Sequence, residues 1–179
     1  MNKKSRLLLA LIVFLTSQLG YTAPDRTQLA VWANEAIIAT YTFNYKTYLA
    51  DQKNIAKYFT AEGWIAFNNA LNTSKLPEAV QKNSYDVTAV ATQPPKLVFL
   101  DPTHWQATMT ILVVYQNLQY NQRQNLKVVL GFSEAPKGQG VRGLSITSLK
   151  STVIEAPCQC PNPEETTTSP TATPKDEKK

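Results

Sequence analysis

Three carboxylates on predicted elements, together with a histidine in a predicted turn, are candidates for acid–base chemistry: Glu35, Glu62, Asp86 and His104. Such a base needs an enclosed pocket and a second acid or tyrosine that donates a hydrogen bond. The pattern favours simpler roles, because Glu35 flanks the polar side of a predicted helix and Asp86 opposes the apolar face of a strand. Glu62 falls in a first helical turn, where a negative charge suits the helix dipole. For His104, the only histidine, we identify no metal ligand at the usual spacing.

Sequence motifs for covalent or metal chemistry are missing from the chain. It contains no Gly-x-Ser-x-Gly, no phosphate-binding loop and no His-Glu-x-x-His. We therefore predict that the protein is not an enzyme, with no catalytic residue, no cofactor and no metal.

The two cysteines, Cys158 and Cys160, form a Cys-x-Cys flanked by Pro157 and Pro161. Redox catalysis normally uses Cys-x-x-Cys within a thioredoxin-like pattern, which does not occur here. A metal site needs further Cys or His ligands. A bridge across one residue makes a small strained ring, and bridges between chains are the other option. We expect a local or an inter-chain disulfide.

The N-terminus has the three-part layout of a secretory signal peptide. A basic stretch, Met1–Arg6, precedes nine unbroken apolar residues, Leu7–Leu15, and polar residues follow. Nine helical residues rise only about 14 Å, short of a hydrocarbon core of about 30 Å. We predict a signal peptide over residues 1–23 and export to the periplasm, with an uncleaved inner-membrane anchor as the alternative. Three basic residues of this segment account for most of the net charge of +5, and +2 remains without them.

The C-terminal residues 157–179 are predicted to be a disordered tail that begins with the Cys-x-Cys segment. From Pro161 onward there is no aromatic, Leu, Ile, Val or Met side chain to offset the entropy of ordering. Residues 24–156 then form one domain. Apolar spacing predicts helices over about 25–43, 52–58, 61–71 and 78–82. Period-two alternation predicts strands over 85–91, 97–100, 105–116, 125–132 and 144–154, with a bulge between Ile146 and Leu149.

Helices first and antiparallel strands afterwards predict an α+β fold, with N-terminal helices packed on one face of a curled antiparallel sheet. Large aromatic side chains are expected to anchor its core rather than to form a ligand cage: Trp32, Tyr41, Trp64, Phe67 and Trp105. Gly63, early in a helix, costs about 1 kcal/mol relative to Ala. Either the sheet approaches this position so closely that only glycine fits, or Gly63 lies on the surface and its presence has no structural explanation.

Three segments resemble the IcmL/DotI family of type IVB secretion system proteins: Tyr58–Trp64 (Tyr-Phe-Thr-Ala-Glu-Gly-Trp), Trp32–Ala36 and Leu112–Gln116. The resemblance spans about residues 28–155. It implies a cone-like domain of the nuclear-transport-factor-2 type in the periplasm, which assembles the secretion channel without catalysis. The family-motif and core residues it carries over are Trp32, Tyr58, Phe59, Thr60, Glu62, Gly63, Trp64 and Tyr115.

From this resemblance we predict that the protein is a component or accessory protein of a type IVB secretion system. Its predicted partners are other envelope subunits, and a homo-oligomer is the additional option. The edge of the 97–100 strand is a candidate for pairing with a neighbour. An isomerase-like or small-molecule-binding cone is the second hypothesis, and it needs a carboxylate inside a deep pocket. A secreted factor linked through its cysteines is the third. We predict no nucleic-acid binding, because the basic residues are dispersed apart from a weak cluster of Lys137, Arg142 and Lys150.

Overall fold

The structure is a computed structural model that describes residues 25–154 and the backbone of residues 158–159. Four helices lie in the N-terminal half, with one short strand between the first two: α1 Arg26–Thr40, α2 Tyr48–Ala56, α3 Ala61–Thr73 and α4 Leu76–Asn83. The strands are β1 Phe43–Asn44, β2 Asp86–Ala91, β3 Lys96–Phe99, β4 His104–Gln116, β5 Asn121–Glu134, β6 Leu144–Val153 and β7 Cys158–Gln159. The α+β prediction is confirmed. Among the described residues, no helix is both long and apolar enough to cross a membrane.

All strands pair antiparallel in one curled sheet with the order β1-β2-β4-β5-β6. The short strands β3 and β7 lie off this path, where β3 pairs with β4 and β7 with β5. The predicted bulge is present: Gly131 pairs with Ser148 and Phe132 with Ile146, so Thr147 is the extra residue.

The apolar residues of helix α1 recur every three or four positions and so form one face of the helix. This face packs against the concave side of the sheet. Its buried face consists of Leu29, Trp32, Ala33, Ala36, Ile37 and Thr40. The strands supply the other half of the core from alternate positions, among them Trp105, Met109, Val128 and Phe132.

Local boundaries differ from the sequence prediction where pairing overrides side-chain pattern. Helix α1 ends at Thr40 rather than near Phe43, because Phe43 pairs with Val87 as strand β1. Strand β5 begins at Asn121 instead of Asn125, since its polar first residues continue the ladder with β4 from Gln116 onward. Helix α2 begins at Tyr48, where Asp51 in its first turn accepts a hydrogen bond from the Thr47 hydroxyl.

Candidate functional site

The candidate carboxylates all lie on the exposed surface. Glu35 forms an ion pair with Arg142, and Glu62 is exposed in the first turn of α3. Asp86 accepts a hydrogen bond from the side-chain amide of Asn44. The structure therefore does not bring these groups together: all three are exposed, and Asp86 lines an open groove. The isomerase-like hypothesis required an inward carboxylate, and these positions contradict it.

Aromatic side chains fill the interior of the cone, as the sequence predicts for Trp32 and Trp105. Both are 2% exposed. The Trp32 ring stacks on Phe132 with centroids 5.1 Å apart, and Trp105 lies 5.5 Å from the same ring. The indole Nε1–H of Trp32 donates to the carbonyl oxygen of Val141 at 2.9 Å, which fixes the β5–β6 loop to α1.

The Tyr58–Trp64 motif is a junction between the helices and β6. The backbone N–H of Ile146 donates to the Tyr58 carbonyl at 2.7 Å, and the N–H of Thr60 donates to the Ile146 carbonyl at 2.9 Å. These two bonds form a parallel bridge between Phe59 and Ile146. The residues just before α3 therefore pair with β6, the last strand of the sheet order.

Thr60 and Gly63 adapt the start of α3 to this junction. The Thr60 hydroxyl accepts a hydrogen bond from the Gly63 N–H at 3.1 Å and so caps the helix. A β-carbon on Gly63 would lie 2.6 Å from the carbonyl oxygen of Ile146, closer than real β-carbons approach. Gly63 thus has the first of the two roles considered from sequence, a close approach of helix and sheet.

Three rings at this junction pack together on the helix side. Phe59 stacks on Phe67 at 5.1 Å and meets the edge of Trp64 at 5.5 Å. Phe59 is buried, whereas Trp64 and Phe67 are half-buried. Their mutual ring contacts stabilise the fold at this junction.

The second polar link joins α1 to the β5–β6 loop. Arg142, in a left-handed conformation with φ of 52°, donates to the Glu35 carboxylate. The Tyr58 hydroxyl donates to the other Glu35 oxygen at 3.4 Å. Burial, followed by the charge of Glu35, raises the pKa of Tyr58, so its hydroxyl remains a donor to higher pH than that of a free tyrosine. This arrangement holds three segments together and offers no base to a substrate.

Burial also favours the neutral form of two further tyrosines, Tyr115 in β4 and Tyr41 at the end of α1. Burial raises the pKa of Tyr115, whose ring meets the edge of Tyr85 at 6.3 Å. Burial raises the pKa of Tyr41 to about 12, against a weaker opposing hydrogen bond with Ser151.

His104 has a partner that the sequence analysis missed. Its Nδ1 lies 2.9 Å from a carboxylate oxygen of Asp101, and Asp101 also accepts a hydrogen bond from the Thr103 N–H at 2.8 Å. The Thr103 N–H, followed by His104, lowers the pKa of Asp101 to about 2. The Asp-Pro-Thr-His sequence was the available signal, because an aspartate that bonds the backbone two residues on is a common turn. Within the described part of the chain no group of His, Cys, Asp and Glu could hold a metal.

Open grooves and exposed apolar residues remain as surfaces for binding. Two grooves of about 570 and 720 Å³ share Tyr45 and Lys46, and the larger one lies beside the β4–β5 hairpin. Leu118 at the hairpin tip is fully exposed. At the other end of β4, the consecutive residues Val98, Phe99 and Leu100 are 51%, 49% and 62% exposed.

The cysteine prediction lies largely outside the described residues. The backbone of Cys158 pairs with Arg123 on β5 as part of strand β7. Cys160 falls outside the described part of the chain, as do the predicted signal peptide and most of the tail.

Comparison with known proteins identifies relatives over nearly the whole domain. The profile of a family described as type-IVb secretion system, inner-membrane complex component, matches residues 16–153. An IcmL-like type IV secretion system protein from Legionella pneumophila is 73% identical, with a TM-score of 0.73, over 78% of this chain and 100% of that chain. The periplasmic domain of DotI is 31% identical with a TM-score of 0.68, over 74% and 99%.

More distant relatives share the fold alone. CagV of Helicobacter pylori, a VirB8 homologue, is 9% identical with a TM-score of 0.56, over 71% of this chain and 98% of that chain. Comparison with curated protein sequences gives no match. The family profile covers more than half of the chain and the two similar structures are 73% and 31% identical, so the chain belongs to the DotI/IcmL family of type IVB secretion system proteins.

Proposed function

We propose that this protein is a non-catalytic component or accessory protein of a type IVB secretion apparatus, and that it acts by binding other subunits in the cell envelope. The observation that carries the proposal is the 73% identity to an IcmL-like type IV secretion system protein over the whole of that protein's chain in its crystal structure.

The site chemistry supports a role without catalysis. The interior that could have held a substrate is packed with Trp32, Trp105 and Phe132. The candidate carboxylates are exposed, and one of them pairs with Arg142. Binding through exposed surfaces therefore fits the described residues better than a reaction does.

We place the domain in the periplasm, with residues 1–23 as the export signal and residues 24–156 as one folded unit. The support is the basic-apolar-polar layout of the leader and the similarity to the periplasmic domain of DotI. N-terminal sequencing of the protein from envelope fractions should give a start near Pro24. An intact Met1 would instead support the uncleaved anchor.

Cys158 and Cys160 are proposed to form a disulfide, because thiols oxidise in an exported protein. Non-reducing electrophoresis distinguishes the two pairings. A dimer band that disappears on reduction indicates bridges between chains, and a monomer without free thiols indicates a local bridge. Two free thiols in the exported protein would contradict both.

The experiment for the proposed function is affinity purification from cross-linked envelopes of cells that assemble the apparatus. We expect secretion-system subunits to copurify, and deletion of the gene to lower secretion of a reporter substrate. Recovery of the protein alone, together with normal secretion in the deletion strain, would overturn the proposal. A Glu35→Gln variant should complement the deletion, since the proposal assigns no reaction to this carboxylate.

A further inference from the structure

Strand β5 places two basic side chains on the convex face of the sheet. Its buried residues Leu126 and Val128 point to the core, and successive side chains of a strand point to opposite faces. Arg123 and Lys127 therefore point to the convex side, away from α1, and both are exposed.

Lysines of two other strands share this face, since residues paired across strands lie on the same side of a sheet. Lys150 of β6 pairs with Val129, two residues from Lys127 along β5. Lys127 and Lys150 are thus diagonal neighbours, with backbones about 7–8 Å apart. Lys96 of β3 lies further away, on the other side of β4. We call Arg123, Lys127 and Lys150 the basic cluster.

The basic cluster has no acidic partner among the described residues. Neither of the two ion pairs within residues 25–154 includes one of its members. The acidic residue that strands β2 to β6 place on the convex face is Asp86, at the corner of β2, and it accepts a hydrogen bond from Asn44. The positive charge of the cluster is therefore left uncompensated by the described part of the chain.

The chain passes the basic cluster where it leaves the described residues. Strand β7 pairs with β5, with Cys158 opposite Arg123 and Gln159 opposite Gln122. Glu164 and Glu165 follow shortly after, and residues 160–174 contain no basic side chain. An acidic segment of the same chain is thus tethered beside a basic face.

Backbone length allows the two to meet. Because β7 is antiparallel to β5, the chain runs toward Asn121 at Gln159 and must turn back to pass over Lys127. Pro161 and Pro163 favour such a turn, since proline interrupts strand pairing. Five residues span at most about 17 Å, which is also about the distance that five residues of β5 cover. The long side chains of lysine and glutamate shorten the gap that the backbone must bridge.

We propose that Glu164 and Glu165 dock on the basic cluster of their own chain, with their carboxylates beside Lys127 and its neighbours Arg123 and Lys150. Exposed ion pairs are individually weak, but tethering gives an effective concentration on the order of millimolar. At micromolar protein concentration the chain's own segment therefore outcompetes the same segment of a second copy. The docked segment shields the convex face from other anionic surfaces.

This inference goes beyond the proposed function and does not rest on it. It concerns a contact within one chain, so it can be tested on the purified protein. Failure of copurification with secretion subunits would refute the proposed function and leave this contact standing.

The test is zero-length coupling of the full exported protein with a carbodiimide, which joins a carboxylate to an amine in direct contact as an amide. A mixture of ¹⁴N- and ¹⁵N-labelled protein separates links within one chain from links between copies in the mass spectrum. We expect links within one chain from Glu164 or Glu165 to Lys127 or Lys150. They should disappear at 1 M NaCl, where the Debye length is about 3 Å.

Three outcomes of this coupling would overturn the proposal. One is the absence of any link from Glu164 or Glu165 to the basic cluster. Another is equally frequent coupling to Lys53 and Lys57 of α2, which would show a tail without a preferred site. The third is links of mixed isotope, which would assign the segment to another copy.

Two matched comparisons sharpen the result. Arg123→Gln removes a cation that does not itself couple, and it should lower the links to Lys127 by about two- to fivefold. Lys57→Gln is its control on α2 and should leave them unchanged. Equal yields in the two variants would refute docking on the cluster.

The second comparison uses NMR and needs no coupling reagent. Replacing both Glu164 and Glu165 by glutamine should shift the backbone amide signals of Lys127 and Lys150. Replacing Asp176 by asparagine together with Glu177 by glutamine changes the charge equally, further along the chain, and should leave these signals in place. Unmoved signals in the first variant, or equal shifts in both, would contradict the proposal.

Discussion

Replacing Gly63 by alanine tests the junction between α3 and β6. The new β-carbon would lie 2.6 Å from the Ile146 carbonyl and 3.1 Å from the Thr147 carbonyl, so α3 or β6 must move. Forcing extra volume into a packed site costs about 1–3 kcal/mol. The shift also weakens the two backbone hydrogen bonds between Ile146 and the residues before α3, at about 1 kcal/mol each.

Alanine is the better helix former by about 1 kcal/mol, which opposes these losses. The net decrease in the free energy of unfolding should be about 2–4 kcal/mol, or a fall of about 10 °C in Tm for a domain of this size. Urea unfolding at constant m-value measures it. Glu62→Ala is the neighbouring control, and it should change stability by less than about 1 kcal/mol because Glu62 is exposed. A Gly63→Ala variant as stable as the natural protein would refute the close-approach argument.

Three further predictions concern polar groups. Trp32→Phe removes the donor to Val141 and should cost about 1–3 kcal/mol in urea unfolding; an unchanged midpoint would contradict it. Because burial raises the pKa of Tyr41 from 10.0 to about 12, the free energy of unfolding should hold up to about pH 10 and fall between there and pH 12. Tyr41→Phe should flatten that decline, and an equal slope in both proteins would contradict the assignment. The carboxyl of Asp101 should titrate near 2 by NMR, so its bonds lose their stabilising effect only as pH falls from about 3.8 toward 2; a midpoint near 3.8 would show that the Thr103 bond is absent in solution.

Most of the fold could be predicted because the core is built from strong periodic patterns. In α1 the apolar spacing of Leu29, Trp32 and Ile37 identifies the buried face correctly. In β4 the alternation from Trp105 to Val113 does the same. The bulge near Ile146 was also readable, because the apolar phase changes there.

The segments whose boundaries were predicted wrongly have sequences that are compatible with more than one local structure. The aromatic residues after α1 suit a helix, a turn or a strand, and only the partner Val87 on β2 determines that Phe43 is extended. The polar start of β5 carries no strand signal of its own, and its pairing with β4 imposes the conformation.

The polar contacts of the site join residues that are far apart in the sequence, and apolar periodicity does not predict such contacts. Arg142 lies 107 residues from Glu35, and Val141 lies 109 residues from Trp32. Asp101 and His104, in contrast, are three residues apart, and their turn was readable from the local sequence. The family motif identified the residues around Gly63, and the structure supplies their physical reason: the helix begins against the backbone of β6.

The central claim, that the exposed surface binds secretion-system subunits, is tested most directly by photo-crosslinking in intact cells. A photo-reactive residue at Leu118, which is fully exposed at the hairpin tip, and others at Leu49 and Leu100 sample the two ends of the domain. Met109, which is 1% exposed, is the buried control. The account predicts adducts with subunits of the apparatus from at least one exposed position and none from Met109. Cells with an assembled apparatus and a folded protein that give no such adduct from any exposed position would contradict it.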